Sequence, residues 1–316
     1  MRGALEFCAR RGAGLLAVSV FVGLFAPPLA SAMRFIITPT VVGLMTLVLL
    51  RVDFAAVFAY LRRPLLVAWL LLWLMVGAPL AAYAAVRLAG LEGPVGAAFV
   101  IAATGCAATS APAFARLVGL DAQLSLVGSV LSTLLVPITA PPLALGLIGV
   151  ELPITVAGLS ARLALVVGLP LLLSLAIRRI AGEDRLRPWG GAVDGAAVLL
   201  VCLYGVGVMD GVLAALLDRP GFVAFATALA FLCNFGLNAL TTLVFLPFGA
   251  PVAYATGLMS GNRNMALYLA VMPQDSDPAL LMFFALCQFP LFLSPFLLRP
   301  VYRCLVRPLP SAPPRS

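Results

Sequence analysis

Ten apolar runs divide this chain, each about as long as a bilayer is thick, and arginines mark the gaps between them. The runs lie near 13–33, 36–51, 64–87, 93–118, 122–149, 154–177, 190–217, 221–247, 251–273 and 278–299. A helix needs ~20 apolar residues to cross the hydrocarbon core. Inside lipid a lone segment can satisfy its own N–H and C=O groups only as a helix. The pattern predicts an all-α polytopic membrane protein of ten transmembrane helices. Composition closes the soluble alternative. The chain is 63% apolar and 10% charged, whereas a soluble domain carries roughly 25% charged residues.

The net charge of +8 does not point to nucleic acid, because the basic residues form no stripe with aromatics between them. Every basic residue is arginine, and there is no histidine. That excludes a histidine triad, a histidine metal site and a histidine proton relay. Cys8, Cys106, Cys202, Cys233, Cys287 and Cys304 show no zinc-like spacing and read as small apolar helix residues. No cofactor is implied.

Arginine placement orients the spans. With ten spans, fifteen arginines fall with the termini and four (Arg34, Arg87, Arg162 and Arg219) on the other side. Basic residues accumulate on the cytoplasmic side, so both termini are expected in the cytoplasm, in a bacterial inner membrane. Arg2, Arg10 and Arg11, an apolar stretch and Ala30-Ser31-Ala32 mimic a cleavable signal. A retained first helix is the expectation, because the count of ten requires it. Residues 1–304 read as one transporter domain, and 305–316 as a Pro- and Arg-rich cytoplasmic tail, disordered by composition.

Ten spans divide into halves, 1–152 and 153–304, each with five. An odd number per half inserts the halves in opposite directions, the inverted-repeat plan of many secondary transporters. The fourth span is interrupted at Thr104–Pro112 and the ninth at Thr256–Asn264, both the fourth helix of their half. Paired interruptions of this kind point to a midplane binding site.

Arg263 lies inside the ninth span, between Asn262 and Asn264. A charge at such depth costs at least ~2.5–3.5 kcal/mol and is rarely there for stability. Two readings stand: a ligand contact, or an internal partner, for which Asp210 of the seventh span is the candidate and also a candidate proton carrier. Thr109, Ser110 and Pro112 line the other break. Ser125, Ser129, Ser132 and Thr133 share one face of the fifth span. Asn234 and Asn238 are an i, i+4 pair in the eighth, and Gln288 lies in the tenth. For the hydroxyls and amides, bonding within the protein competes evenly with solute binding.

These residues carry a resemblance. Cys106, Thr109-Ser110-Ala111-Pro112, Leu124-Ser125 and Ser132-Thr133-Leu134-Leu135 in the fourth and fifth spans, with Met259-Ser260-Gly261-Asn262-Arg263-Asn264 in the ninth, resemble the bile acid:sodium symporter family. The resemblance implies crossing broken helices. It also implies a core of spans three to five and eight to ten, and a panel of spans one, two, six and seven. It further implies a two-sodium site, and here the chain departs. Met259 stands where the family has glutamate, Pro112 where it has asparagine, Ala111 for the serine before it, Arg263 for a glutamine, and Leu74 for a third-span glutamine. Ser125, Ser129 and Asn264 are kept.

The family's carboxylate and two sodium ions sum to +1, and a neutral Met259 with Arg263 also gives +1. The expectation is a sodium-independent secondary transporter of a small organic anion, with Arg263 as a built-in cation whose planar fork suits a carboxylate. Its site would draw on Arg263, Asn262, Asn264, Thr109, Ser110, Pro112, Asn234, Asn238 and Gln288. The alternative is a sodium symporter with rearranged ligands drawn from Ser125, Ser129, Met259 and Asn264. An enzyme is not expected, since no paired acids, metal cluster or nucleotide loop is present. A sensor ranks low without an output domain. The expected partners are the anion and the bilayer, with no nucleic acid.

Overall fold

The computed structural model describes residues 2–52, 54–148, 153–273 and 275–305. Residues 306–316 of the expected tail, and the expected repeat boundary at 152, lie outside the described residues. The described chain is helical without strands, and 86% of it is helix. Six helical segments are long and apolar enough to cross a membrane, or up to eight if each bent pair is one span. Leu165, Leu172 and Ile180, on one long helix, are exposed, which suits lipid contact in a multi-pass membrane protein.

The first run is not the single helix expected over 13–33. α1 (Arg2–Arg10) bends by 90° into the helix that follows it, α2 (Gly12–Phe25), which stops at Ala26 before α3 (Pro27–Arg34). A proline disfavours helical geometry in the residue before it, and Ala26 sits at φ −121°, ψ 70°. A further bend of 71° separates α3 from α4 (Ile37–Leu50). α5 (Phe54–Leu61) then connects to α6 (Pro64–Leu72), a π-helical turn over Trp73–Gly77 and α7 (Ala78–Leu88). Tyr60 of α5 donates to Asp121 at 2.5 Å. Burial, that bond and the Asp121 charge push its phenol up to about 12.

α8 (Pro94–Thr104) and α9 (Ala111–Val118) are the halves of the fourth run, and α10 (Ala122–Ile148) is the fifth. α11 (Val156–Ala181), the short α12 (Glu183–Leu186), α13 (Gly190–Gly207) and α14 (Val212–Asp218) lead to α15 (Pro220–Phe245). α16 (Ala250–Gly261) and α17 (Met265–Val271) are the halves of the ninth run. α18 (Pro278–Leu286) and α19 (Gln288–Leu305) make up the tenth.

Helix packing and side-chain bonds define two groups of helices, which also pack on each other, most extensively α10 on α11. In the first, α13 packs on α1, α2, α3 and α4, and α4 packs on α11. Small residues permit the approach: a Cβ on Gly195 would lie 1.9 Å from the Leu5 carbonyl, and one on Gly23 2.4 Å from the Val206 carbonyl. Ion pairs tie both ends. Arg51, beyond the end of α4, bonds Asp194 near the start of α13 at 2.9 and 3.3 Å. Arg34 bonds Asp210, beyond the end of α13, at 3.1 Å. α4 and α13 are therefore antiparallel. Arg178, near the end of α11, donates to the carbonyls of Leu49, Leu50 and Val52, so α4 and α11 are parallel. The bundle has an Arg34 end and an Arg51 end.

The second group holds α6–α10 and α15–α19. Its tightest pair is α15 with α16. A Cβ on Gly261 would lie 2.4 Å from the Asn234 carbonyl, and one on Gly257 2.1 Å from the Thr242 hydroxyl. Trp73 donates to Thr241 at 2.8 Å, and Tyr302 to Asn238 at 3.1 Å.

Candidate functional site: a buried arginine at two helix breaks

The two interruptions meet. α8 stops at Thr104 and α9 starts at Ala111; α16 stops at Gly261 and α17 starts at Met265. The unwound residues between them pair as a short antiparallel bridge of Ala107 with Arg263. Ala108 N donates to Asn262 O at 2.8 Å, and Asn264 N to Cys106 O at 2.9 Å. The Ser132 hydroxyl accepts from Ala107 N at 3.1 Å. The sequence breaks here for local reasons. Pro112 stands in the first turn of α9, where its missing N–H is harmless. Asn262 and Asn264 adopt non-helical angles of φ −90°, ψ 86° and φ −83°, ψ 84°, which suits a side chain that competes with helix hydrogen bonding.

Arg263 is 4% exposed, and its guanidinium is spent on oxygens of the protein. Nε donates to Ser260 O at 2.7 Å, and Nη1 to Leu74 O at 2.9 Å and Gly105 O at 2.7 Å. Nη2 donates to the Ser260 hydroxyl at 3.1 Å. A guanidinium has five N–H donors, so these four bonds leave one, on Nη2. Among the described residues no carboxylate pairs with it.

Helix ends supply the compensation. Gly105 O closes α8 and Ser260 O closes α16, and each helix C-terminus carries roughly −0.5 charge. Two such ends offset about one positive charge. Charge-assisted bonds of ~1.5–3 kcal/mol each work against a desolvation cost of several kcal/mol. The third carbonyl comes from the π turn. There Ala78 N bonds Trp73 O, which deprives Leu74 O of its α-helical donor. Its π-helical donor would be residue 79, and Pro79 has no N–H. Leu74 O is left for Arg263.

An amide cluster backs the break. Asn234 Nδ2 donates to Gly261 O at 2.8 Å and to Asn262 Oδ1 at 3.1 Å. Ser294 donates to Asn262 Oδ1 at 2.9 Å, and Asn262 Nδ2 donates to Leu258 O at 3.0 Å. A cavity of about 20 Å³ opens beside Arg263, Cys233, Asn234, Met265 and Cys287. That is room for a water and not for an organic anion. Asn234 Oδ1, buried without a protein partner among the described residues, is placed to use one.

Other expected site residues lie apart. Asp210, a candidate partner of Arg263, is paired instead with Arg34 at the end of the bundle, while four of the five Arg263 donors are taken by nearby carbonyls and the Ser260 hydroxyl. Gln288 Nε2 reaches Tyr204 of α13 at 2.9 Å, and Asn238 accepts from Tyr302. Ser125 and Ser129 donate to Asp121 O just before their helix and to Leu126 O within it, the local backbone bonding common for helix hydroxyls. Met259 is fully buried with its sulfur against Gly128. A second cavity of about 20 Å³ joins Thr109, Ser129 and Thr133 to Met45, Val48 and Leu49 of α4, with Leu126 and Val130 completing it. Ser110 and Pro112 adjoin Thr109 at the start of α9 and are part-buried.

Leu74, Gly105 and Ser260 escaped the sequence reading as partners of Arg263, since three of the four acceptors are backbone carbonyls. Pro79, five residues after Leu74, was the available signal. Comparison with protein-family models and with curated proteins returns no match.

Proposed function

We propose that this chain is a secondary transporter of small organic anions, related to the bile acid:sodium symporters, in which Arg263 takes the place of a bound cation. The observation that carries the reading is the guanidinium itself. It sits where two broken helices pair and is held by carbonyls of three elements. An oxygen cage between helix C-termini is what a cation site requires, and this chain fills it with its own side chain. Met259 fits the same account, because a glutamate beside Arg263 would cancel the charge that the cage holds.

The layout supports ten spans in two inverted halves. The six long segments, the two bent pairs and the two broken runs α8–α9 and α16–α17 sum to ten. The breaks fall fourth in each half. α1–α4, α11 and α13 correspond to the family's panel, and α6–α10 with α15–α19 to its core. By arginine placement both termini would face the cytoplasm, and the reading is of a bacterial inner-membrane protein. The anion would bind between panel and core beside Thr109, Ser129 and Thr133, where α9 begins and its positive end faces; the cavity there is water-sized in this state, about 20 Å³, so binding requires the two groups to separate. Arg263 would act there through the crossing it holds together and through its field, with most of its donors engaged.

Uptake into proteoliposomes, screened over small carboxylates and sulfonates in sodium and in choline medium, tests the reading. We expect flux above empty vesicles at a rate independent of sodium. Sodium-dependent flux would reject the built-in cation and favour rearranged sodium ligands. Absence of flux for every anion would reject transport of this class.

A further inference from the structure

The side-chain hydrogen bonds sort by helix group. Arg34, Arg51 and Arg178 hold the first group together at both ends. Arg263, Asn234, Trp73 and Ser294 hold the second. Among the described residues three such bonds join the groups. Arg162 Nη1 of α11 donates to Val271 O at 3.0 Å, and the Thr38 hydroxyl of α4 to Ala270 O at 3.2 Å. Gln288 of α19 donates to Tyr204 of α13.

All three lie toward the Arg34 end. Thr38 is the second residue of α4 and Arg162 stands in the second turn of α11, which runs parallel to α4. Tyr204 is in the last turn of α13, which runs antiparallel. At the opposite end, Met45, Val48 and Leu49 of α4 face α10 across an apolar cavity of about 20 Å³. There the groups meet through apolar contact, Leu49 and Val52 packing with Val127 and Val130 of α10, so polar side-chain bonds join them at one end only.

We propose that Arg162, with Thr38, is a latch that closes the Arg34 end of the crevice between the two groups, and that its release from α17 opens that end. The carbonyls it holds are the last of α17, which have no donor within their own helix, and a cation is favoured at a helix C-terminus. Both latch side chains are exposed, so water can replace either partner and the bond is reversible. α17 starts at the crossing and is seven residues long, about 10 Å. Its latched end therefore swings about the bridge that Arg263 secures. The latch rests on the transport reading for its purpose, although its geometry stands without it.

Hydrogen exchange of the full chain in nanodiscs tests this, comparing wild type with Arg162→Ala and Arg162→Lys. Loss of a charge-assisted bond should speed exchange about tenfold or more at 37–41 and 266–272. Exchange at 48–52 and 124–130 should stay at the wild-type rate or slow. Lysine, which can still donate, should restore most of the protection. Unchanged exchange, or a rise spread over the whole chain, would overturn the latch. The readout needs no substrate, so the two proposals fail separately. Local opening without anion flux would leave the latch and remove the transporter; flux with unaltered exchange would do the reverse.

Discussion

Arg263 shows what a single residue must do to stay charged in a lipid-buried site. Truncation to alanine removes four bonds and leaves the carbonyls of Leu74, Gly105 and Ser260 buried without a donor. Each unsatisfied group costs ~1–3 kcal/mol, so Arg263→Ala should lose at least about 3 kcal/mol and unfold at lower temperature. The vacated cage would present three carbonyls and the Ser260 hydroxyl, oxygen donors of the kind hard cations take. Sodium should therefore raise the unfolding temperature of Arg263→Ala relative to choline, and leave the wild type unmoved. Equal responses in both proteins would mean that the arginine does not occupy a cation's place. Arg263, Asn262 and Asn264 were legible in the sequence because a charge flanked by amides has no ordinary reason to lie in an apolar run. Asn234 was legible as a polar residue on one helix face, but its bond to Gly261 was not. Asp210 misled for a related reason. Its partner Arg34 is 176 residues away, and nothing in spacing distinguishes one distant arginine from another.

Elements depend on backbone rules that a sequence states openly, and on contacts that it does not. The breaks of α8–α9 and α16–α17 were readable from Gly, Pro and Asn placement. The stop at Ala26 was readable from Pro27 and Pro28, yet hydropathy over 13–33 is continuous and hides it. The seam of α1 on α13 was not readable, since Gly195 is one of 28 glycines and only the fold brings it to Leu5. That seam makes a prediction. A methyl group at Gly195 would meet the Leu5 carbonyl at 1.9 Å, and a backbone carbonyl cannot rotate aside as a side chain can. Gly195→Ala should detach α1 while α2 onward stays folded, because the other close contacts of α13, such as Val206 with Gly23, are untouched. Brief trypsin treatment of the purified protein should cut after Arg10 and Arg11 faster than in wild type, with the remaining chain intact. Equal cleavage would show that α1 is held by something other than this approach.

At the scale of the whole molecule, two bodies joined by polar bonds at one end and by apolar contact around a small cavity at the other can open the first end only if the second is free to tighten. The cavity between α4 and α10 is the space such a closure would consume. A slightly larger side chain there should act as a wedge. Val130 lines it at 8% exposure, opposite Met45, Val48 and Leu49. Val130→Leu adds about one methylene, close to what that cavity can take, so overpacking should cost ~1–3 kcal/mol and leave the protein folded. By filling the cavity, the wedge should keep the Arg51 end from tightening and thereby keep the Arg34 end latched. Exchange at 266–272 should fall below the wild-type rate, and anion flux should be lost while the unfolding temperature drops only modestly. Combining Val130→Leu with Arg162→Ala tests the coupling. If both ends belong to one motion, the wedge should suppress part of the exchange that the latch mutation releases. If the two substitutions act independently, their effects should add as those of distant, uncoupled sites do, and the two ends would have to move separately.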